Sequence, residues 1–484
     1  MSDANLKDKT VKGLYWSFLG QFSNYAMQFV VGIVMARLLT PEDYGITALP
    51  AIFMAIASVF IESGFSSAMV RKEELTESDL TTAFVYSSLI GAFCYLLLFF
   101  IAPWIADFYE VPVLIPLIRI TALSFLWGPL ITPQSVILQR RLDFKTPARI
   151  SIINKVISGA LGITAAYCGY GLWALVIANL SSSLMGLFQT WWAVKWTPKN
   201  SWSRESFRYL WGYGNKVVGS SLLDTFFSNL GTFLIGKIGS PIDLGNYNRA
   251  KGYAMMPSTN IVGVLNNVTF PVLSKMLGDN QKLGTNYRKM IRVSAFLLFP
   301  IMLLLAALAR PLVIVMLTEK WEACIILLQI LCFVFMWQPI QILNVNLLGV
   351  VGRPDLLLRL RMIIKPIGAL ITIFALFFFG ITGFCLGELF MQFIALFLNT
   401  YYTGKMINVG YLCQMKDILP FFLLSLTMFC IVLLVNSLLG NCFLQIVVGG
   451  VVGCVYYLLT SYVFKIEELS VARELISLKR LRNR

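Results

Sequence analysis

Ser17, Gln21, Asn24 and Gln28 recur at steps of four, three and four residues in an otherwise apolar stretch, which sets polar side chains along one face of a helix. Ser221, Asp224 and Ser228, flanked by Thr225 and Asn229, repeat the arrangement 200 residues on, with Asp224 standing where Asn24 stands in the first copy. A polar group left bare in hydrocarbon costs several kcal/mol, so both stripes must face protein or water. Hydrogen bonding between helices would satisfy them, as would a wet cavity, and the recurrence of the stripe favours the cavity. Gln21, Asn24, Gln28, Asp224 and Ser228 are therefore candidate lining residues, with Asn260, Asn267, Gln341 and Asn344 as weaker additions.

Charged residues inside apolar runs form a second set: Glu62, Arg119, Lys155, Asp224, Lys365 and Glu388. Charge at membrane depth is costly and marks function by default. Lys155, Lys365 and Arg119 are the cations of this set and candidate substrate-binding groups. The two lysines could equally snorkel to the cytoplasmic rim. Asp224, Glu62 and Glu388 are the carboxylates able to couple a proton or sodium ion, and Asp224, deepest in its run, ranks first.

Other chemistry is absent. There is no histidine, which removes every His-based triad, zincin, haem-axial and His-relay mechanism. The nine cysteines are odd in number, contain no C-x-x-C and fall mostly in apolar runs, so they resemble small core residues rather than a disulfide or metal framework. Gly231 to Lys237 spells G-x-x-x-x-G-K, but Ile238 stands where Ser or Thr must hold magnesium, and the setting is an apolar helix, so it is no P-loop. No cofactor is expected beyond a coupling ion.

The elements that must position these residues are membrane helices. Of 484 residues 58% are hydrophobic and only 13% charged, and the mean hydropathy is +0.75. Soluble domains carry about 25% charged residues. Apolar runs predict fourteen spans, near 14–38, 46–70, 81–105, 114–137, 150–168, 172–194, 213–236, 252–273, 291–316, 323–349, 357–379, 382–403, 418–438 and 441–463. With the N-terminus in the cytoplasm, all of the 39 Lys and Arg fall at cytoplasmic ends except Arg37, Arg119, Lys237, Arg249, Lys251, Arg310 and Lys320. That bias places both termini inside, and it explains the net charge of +15 without nucleic acid.

The chain also repeats itself. Arg37-Leu-Leu-Thr-Pro-Glu-Asp-Tyr-Gly45 matches Lys237-Ile-Gly-Ser-Pro-Ile-Asp-Leu-Gly245 at an offset of 200, and Trp127-Gly-Pro129, Arg149 and Lys155 match Trp337-Gln-Pro339, Arg359 and Lys365 at 210. An even number of spans separates the copies, so the expected fold is all-α: two six-helix lobes related by a pseudo-two-fold axis along the membrane normal, plus two C-terminal helices. The expected divisions are a lobe over 1–195, a cytoplasmic linker 196–212, a lobe over 213–405, two further helices in 406–464 and a basic tail 465–484. Pro129, Pro133, Pro257, Pro271, Pro300, Pro339 and Pro366 interrupt spans as static kinks or bending points.

Several motifs, in order and spacing, resemble one family: Lys9-Thr-Val-Lys-Gly-Leu-Tyr-Trp-Ser17, the Arg37–Gly45 segment, Ser63-Gly-Phe-Ser-Ser-Ala-Met-Val-Arg-Lys72, Gln139-Arg-Arg-Leu-Asp-Phe144, Leu244-Gly-Asn-Tyr-Asn-Arg-Ala250, Phe270-Pro-Val-Leu-Ser-Lys275 and Glu319-Lys-Trp321. Together they look like the bacterial polysaccharide transporters, the Wzx-type flippases, and within those the branch of colanic-acid-type lipopolysaccharide exporters, in the multidrug/oligosaccharidyl-lipid/polysaccharide exporter superfamily. The resemblance implies a polyprenyl-pyrophosphate-linked oligosaccharide as substrate, moved from the cytoplasmic to the outer leaflet of the bacterial inner membrane. It also implies polysaccharide polymerase and chain-length machinery as partners. A drug or small-cation exporter of the same superfamily is the first alternative. A membrane enzyme acting on lipid-linked sugars is the second, and short outer loops without histidine argue against it.

Overall fold

The computed structural model describes residues 3–199, 202–274, 276 and 279–470, and among these there are helices and turns and no strand. The side chains of Ser17, Asn267 and Pro271, and the basic tail from 471 on, lie outside the described residues. Nine helical stretches among the described residues are long and apolar enough to cross a membrane.

The chain divides into two compact units, Met1–Gly245 and Asn246–Arg484. In the first, α1 (Asp3–Leu38) is followed by three shorter helices, α2 (Pro41–Ala48), α3 (Ala51–Glu62) and α4 (Phe65–Arg71). Then come α5 (Glu77–Tyr109), α6 (Leu114–Thr121), α7 (Ser124–Trp127), a 3-10 turn at Gly128–Ile131, α8 (Thr132–Arg140), α9 (Lys145–Tyr167), α10 (Trp173–Val194) and α11 (Arg204–Ile238). The helix α1 lies along α9, α9 along α10, and α11 along α3, α4 and α5. An aromatic core of Phe65, Tyr86, Phe207 and Trp211 fastens α11 to α4 and α5.

The repeated motif has a plain physical meaning. Thr40 caps α2: its Oγ1 accepts from the Asp43 amide at 3.2 Å while its own amide donates to the Asp43 carboxylate at 2.9 Å. Ser240 and Asp243 do the same at the start of α12 (Pro241–Ser274), at 3.1 and 3.2 Å. Hydroxyl, proline and aspartate thus occupy the N-cap, first and third positions of a capping box, where proline's missing N–H is no loss.

The second unit continues α12 and adds α13 (Asn280–Ala307), α14 (Ala309–Leu317), α15 (Ala323–Phe335), α16 (Gln338–Val350), α17 (Pro354–Ile407), α18 (Tyr411–Leu438) and α19 (Cys442–Val463). Within α17 the helix breaks at Gly380, where φ is 65°. The helices α13 and α18 pack along each other, α18 along α19, and α16 along α17. A buried polar network joins three of them. Asn344 and Gln414 exchange amide hydrogen bonds at 3.1 and 3.0 Å, Gln414 also donates to Thr403, and Asn399 donates to Gln341 at 2.6 Å. Gln341 and Asn344 are thereby spent on helix-to-helix bonding inside this unit. Outward faces are apolar, with Trp104 70% and Phe377 71% exposed. Such faces are stable against lipid and not against water, and the protein is a multi-pass membrane protein.

Candidate functional site

Two helix breaks in the first unit shape the site. Ser63 and Gly64, at φ 46° and 67°, end α3 and turn the chain into α4. Gly214 of α11 seats against this turn, where a Cβ would overlap the Ser63 carbonyl oxygen. Glu62, the last residue of α3, is left exposed beside the break. The second break is the 3-10 turn at Gly128–Ile131, which carries Pro129 and leads into α8 with Pro133 in its first turn. Helix α10 supports this irregular segment: Trp191 Nε1 donates to the Leu130 carbonyl, and Trp127 Nε1 donates to Ser183 Oγ, each at 3.0 Å. Indole donors thereby satisfy backbone and hydroxyl groups that hydrocarbon would leave bare.

Two pockets open at these breaks and share Ser135 as a wall. One, about 380 Å³, is lined by Glu62, Ser66, Ser67, Thr132, Ser135 and Ser221, with apolar backing from Val59, Ile131 and Val217. The other, about 320 Å³, is lined by Ser135, Gln139, Ser151, Asn154, Lys155, Ser182 and Thr190. Lys155 is the single charged residue lining the second pocket, and Glu62 the single one lining the first. Neither makes an ion pair among the described residues. The Asn154 Oδ1, beside Lys155, is buried without a hydrogen-bond partner among them. An ammonium among hydroxyls and amides, with no carboxylate against it, is suited to an anion.

The other residues singled out by sequence are dispersed. On α1, Gln21 and Gln28 are exposed and Asn24 is half-buried; on α11, Asp224 is half-buried and Ser228 exposed. Ser221, one turn before Asp224, reaches the Glu62 pocket. Arg119 lies against α5, its Nε donating to the Phe99 carbonyl at 3.2 Å and its guanidinium 4.1 Å from the Phe99 ring centroid. In the second unit Lys365 is half-buried on α17, and Glu388 accepts a hydrogen bond from the buried Tyr247 hydroxyl at 3.1 Å. The Lys251 ammonium sits 5.3 Å from the Tyr247 ring centroid, completing an acid, phenol and ammonium cluster.

The profile of the polysaccharide biosynthesis protein family matches residues 34–326. The chain belongs to this family. The match includes both pockets and both capping-box repeats. Among curated relatives, teichuronic acid biosynthesis protein TuaB of Bacillus subtilis is 25% identical over 73% of this chain and 73% of its own length. Lipopolysaccharide biosynthesis protein WzxC of Escherichia coli is 25% identical over 68% of each chain. Succinoglycan biosynthesis transport protein ExoT of Rhizobium meliloti is 25% identical over 65% of this chain and 64% of its own. Among solved structures, the lipid II flippase MurJ in an inward closed conformation superposes with TM-score 0.74 at 16% identity, over 93% of this chain and 98% of that one. An inward-facing multidrug resistance MATE family transporter gives 0.59 at 17% identity, over 84% and 95%. These structures share the fold, and they bear out the all-α polytopic architecture that the sequence led us to expect.

Most of the pocket lining escaped the sequence reading. Thr132, Ser135 and Gln139 recur at three and four residues on α8, and Ser151, Asn154 and Lys155 share a face of α9. That periodicity is the same signal that exposed the stripes on α1 and α11. On α8 it is hidden because this nine-residue helix restarts at Thr132 and Pro133 after a 3-10 turn, so the phase of the face cannot be carried over from the preceding run.

Proposed function

We propose that this protein carries a polyprenyl-pyrophosphate-linked oligosaccharide from the cytoplasmic to the outer leaflet of the bacterial inner membrane by alternating access. The observation that carries the reading is Lys155, unpaired by any carboxylate among the described residues, in a pocket walled by serines and amides at a helix break. An oligosaccharide brings many hydroxyls and a pyrophosphate, and each unpaired hydroxyl in hydrocarbon costs roughly 2 to 7 kcal/mol. A polar pocket with a cation removes much of that barrier while the lipid tail stays in the bilayer. The names of the relatives, which cover teichuronic acid, lipopolysaccharide and succinoglycan, support an extracellular polysaccharide as the end product.

In this reading Lys155, and Lys365 at the matching repeat position, pair with the pyrophosphate, and Arg119 is a lesser contributor. Gln21, Asn24, Gln28, Asp224 and Ser228 line the path, with the repeat copies 1–195 and 213–405 acting as lobes. Both termini lie in the cytoplasm, and the released substrate passes to a polymerase and its chain-length machinery. Asp224, before Glu388, is the group that a coupled proton or sodium ion would use. The protein itself is no enzyme.

Cells lacking the protein should accumulate the lipid-linked repeat unit, accessible to a glycan-cleaving enzyme only after the inner membrane is opened. Accumulated units that are cleaved from the outer face of intact spheroplasts would contradict the proposal.

A further inference from the structure

The Glu62 pocket has a chemistry of its own. Its polar lining is one carboxylate and a set of hydroxyls, from Ser66, Ser67, Thr132, Ser135 and Ser221, and it holds neither a cation nor an amide side chain. Glu62 is exposed into this space and forms no ion pair among the described residues. It is also the last residue of the twelve-residue helix α3, whose terminal carbonyls add negative potential at the same place. A phosphate or a carboxylate is unwelcome there. A neighbouring pair of sugar hydroxyls is welcome, because the two carboxylate oxygens accept both and serine and threonine hydroxyls can donate or accept as needed.

The neighbouring pocket has the opposite sign. Ser135 belongs to both walls, so the two pockets adjoin, and of the two groups esterified to a pyrophosphate at Lys155 the hydroxyl-bearing sugar, not the apolar polyprenyl chain, matches the hydroxyl-lined space beside Glu62. Resting on the flippase reading, we propose that the Glu62 pocket is the subsite for the first sugar of the lipid-linked glycan, and that it selects an uncharged sugar and rejects a hexuronic acid. The selectivity arises from like charge: a uronate would set a second carboxylate against Glu62 with no cation in the pocket lining to separate them.

The test uses the full-length protein in liposomes and two probes, polyprenyl pyrophosphate bearing N-acetylglucosamine and the same lipid bearing glucuronic acid. The wild-type protein should move the first at least about tenfold more efficiently in kcat/KM, the discrimination expected of a modest like-charge contact. Glu62→Gln should raise KM for the neutral probe and bring the ratio of the two close to one. Glu62→Asp keeps the charge and should keep the preference, which separates charge from folding. Equal transport of both probes by the wild-type protein would overturn the subsite while leaving the flippase reading standing. So would a preference unchanged in Glu62→Gln, or a loss that strikes both probes alike. Transport of neither probe by the wild-type protein would overturn the flippase reading and the subsite with it.

Discussion

Gly45 of α2 and Pro241 at the start of α12 meet so closely that a Cβ on Gly45 would overlap the Pro241 carbonyl oxygen. The relation is reciprocal, since a Cβ on Gly245 would overlap the carbonyl oxygen of Pro41. The glycine that ends each copy of the repeated motif is therefore the contact point of the two capped turns. Gly45→Ala and Gly245→Ala should each lower stability by about 1 to 3 kcal/mol, the usual cost of overpacking. Gly219→Ala on α11, where nothing lies within 4 Å, should be neutral or stabilising by up to about 1 kcal/mol through helix propensity. Thermal unfolding in detergent reads both signs.

A second stability prediction concerns Arg288 and Asp417, which join α13 to α18 by two hydrogen bonds of 2.7 Å. The Asp417 side chain is 5% exposed and that of Arg288 46%. Removing the arginine strands a buried carboxylate, so Arg288→Met should cost about 2 kcal/mol, below the range for a fully buried pair because solvent screens this one. The double variant with Asp417→Leu should be more stable than the sum of the single changes, and a double-mutant cycle measures that coupling.

Cys168, in the connection between α9 and α10, is exposed. In the proposed topology, with both termini in the cytoplasm, this connection faces outward. A membrane-impermeant thiol reagent should therefore label Cys168 in intact spheroplasts, and Cys168→Ser should remove that label.

If Asp224 carries a coupled ion, Asp224→Asn should abolish acceleration by an imposed ion gradient while transport without the gradient persists, because an ion that no longer binds the two states differently cannot shift their populations. Vesicle transport with the potential and the ion gradient imposed separately makes the measurement. An unchanged response to both in the variant removes Asp224 from the coupling role.

The architecture was legible because apolar length and charge bias are properties of whole segments. The repeat was legible because a capping box and a close glycine contact each demand particular residues, Thr40 with Asp43 and Gly45, then Ser240 with Asp243 and Gly245. Among the described residues the long helices α1, α10, α11 and α12 fall outside the nine clearly apolar spans. On α1 and α11 the polar stripes dilute the hydrophobic signal. The pockets were not legible. Lys155 and Glu62 could be picked out singly, but Ser135 joins their pockets only because α8 restarts after a 3-10 turn. A serine in an apolar run gives no sign of which neighbour it will meet. Gln341 and Asn344 show the other use of polar residues within a span, which is to tie helices together.

The central claim is that the Lys155 pocket binds the pyrophosphate of a lipid-linked glycan while the protein moves it across the bilayer. Its most direct test reconstitutes the purified protein in liposomes with fluorescent polyprenyl-pyrophosphate-linked oligosaccharide and follows loss of the label to an impermeant quencher or glycan-cleaving enzyme. The wild-type protein should equilibrate the lipid between leaflets, Lys155→Arg should retain most of that rate, and Lys155→Gln, with normal insertion and melting, should lose at least about tenfold, as expected when a charge-assisted contact is removed. Equal rates for Lys155→Gln and the wild-type protein, or no rate above protein-free liposomes for either, would contradict the account.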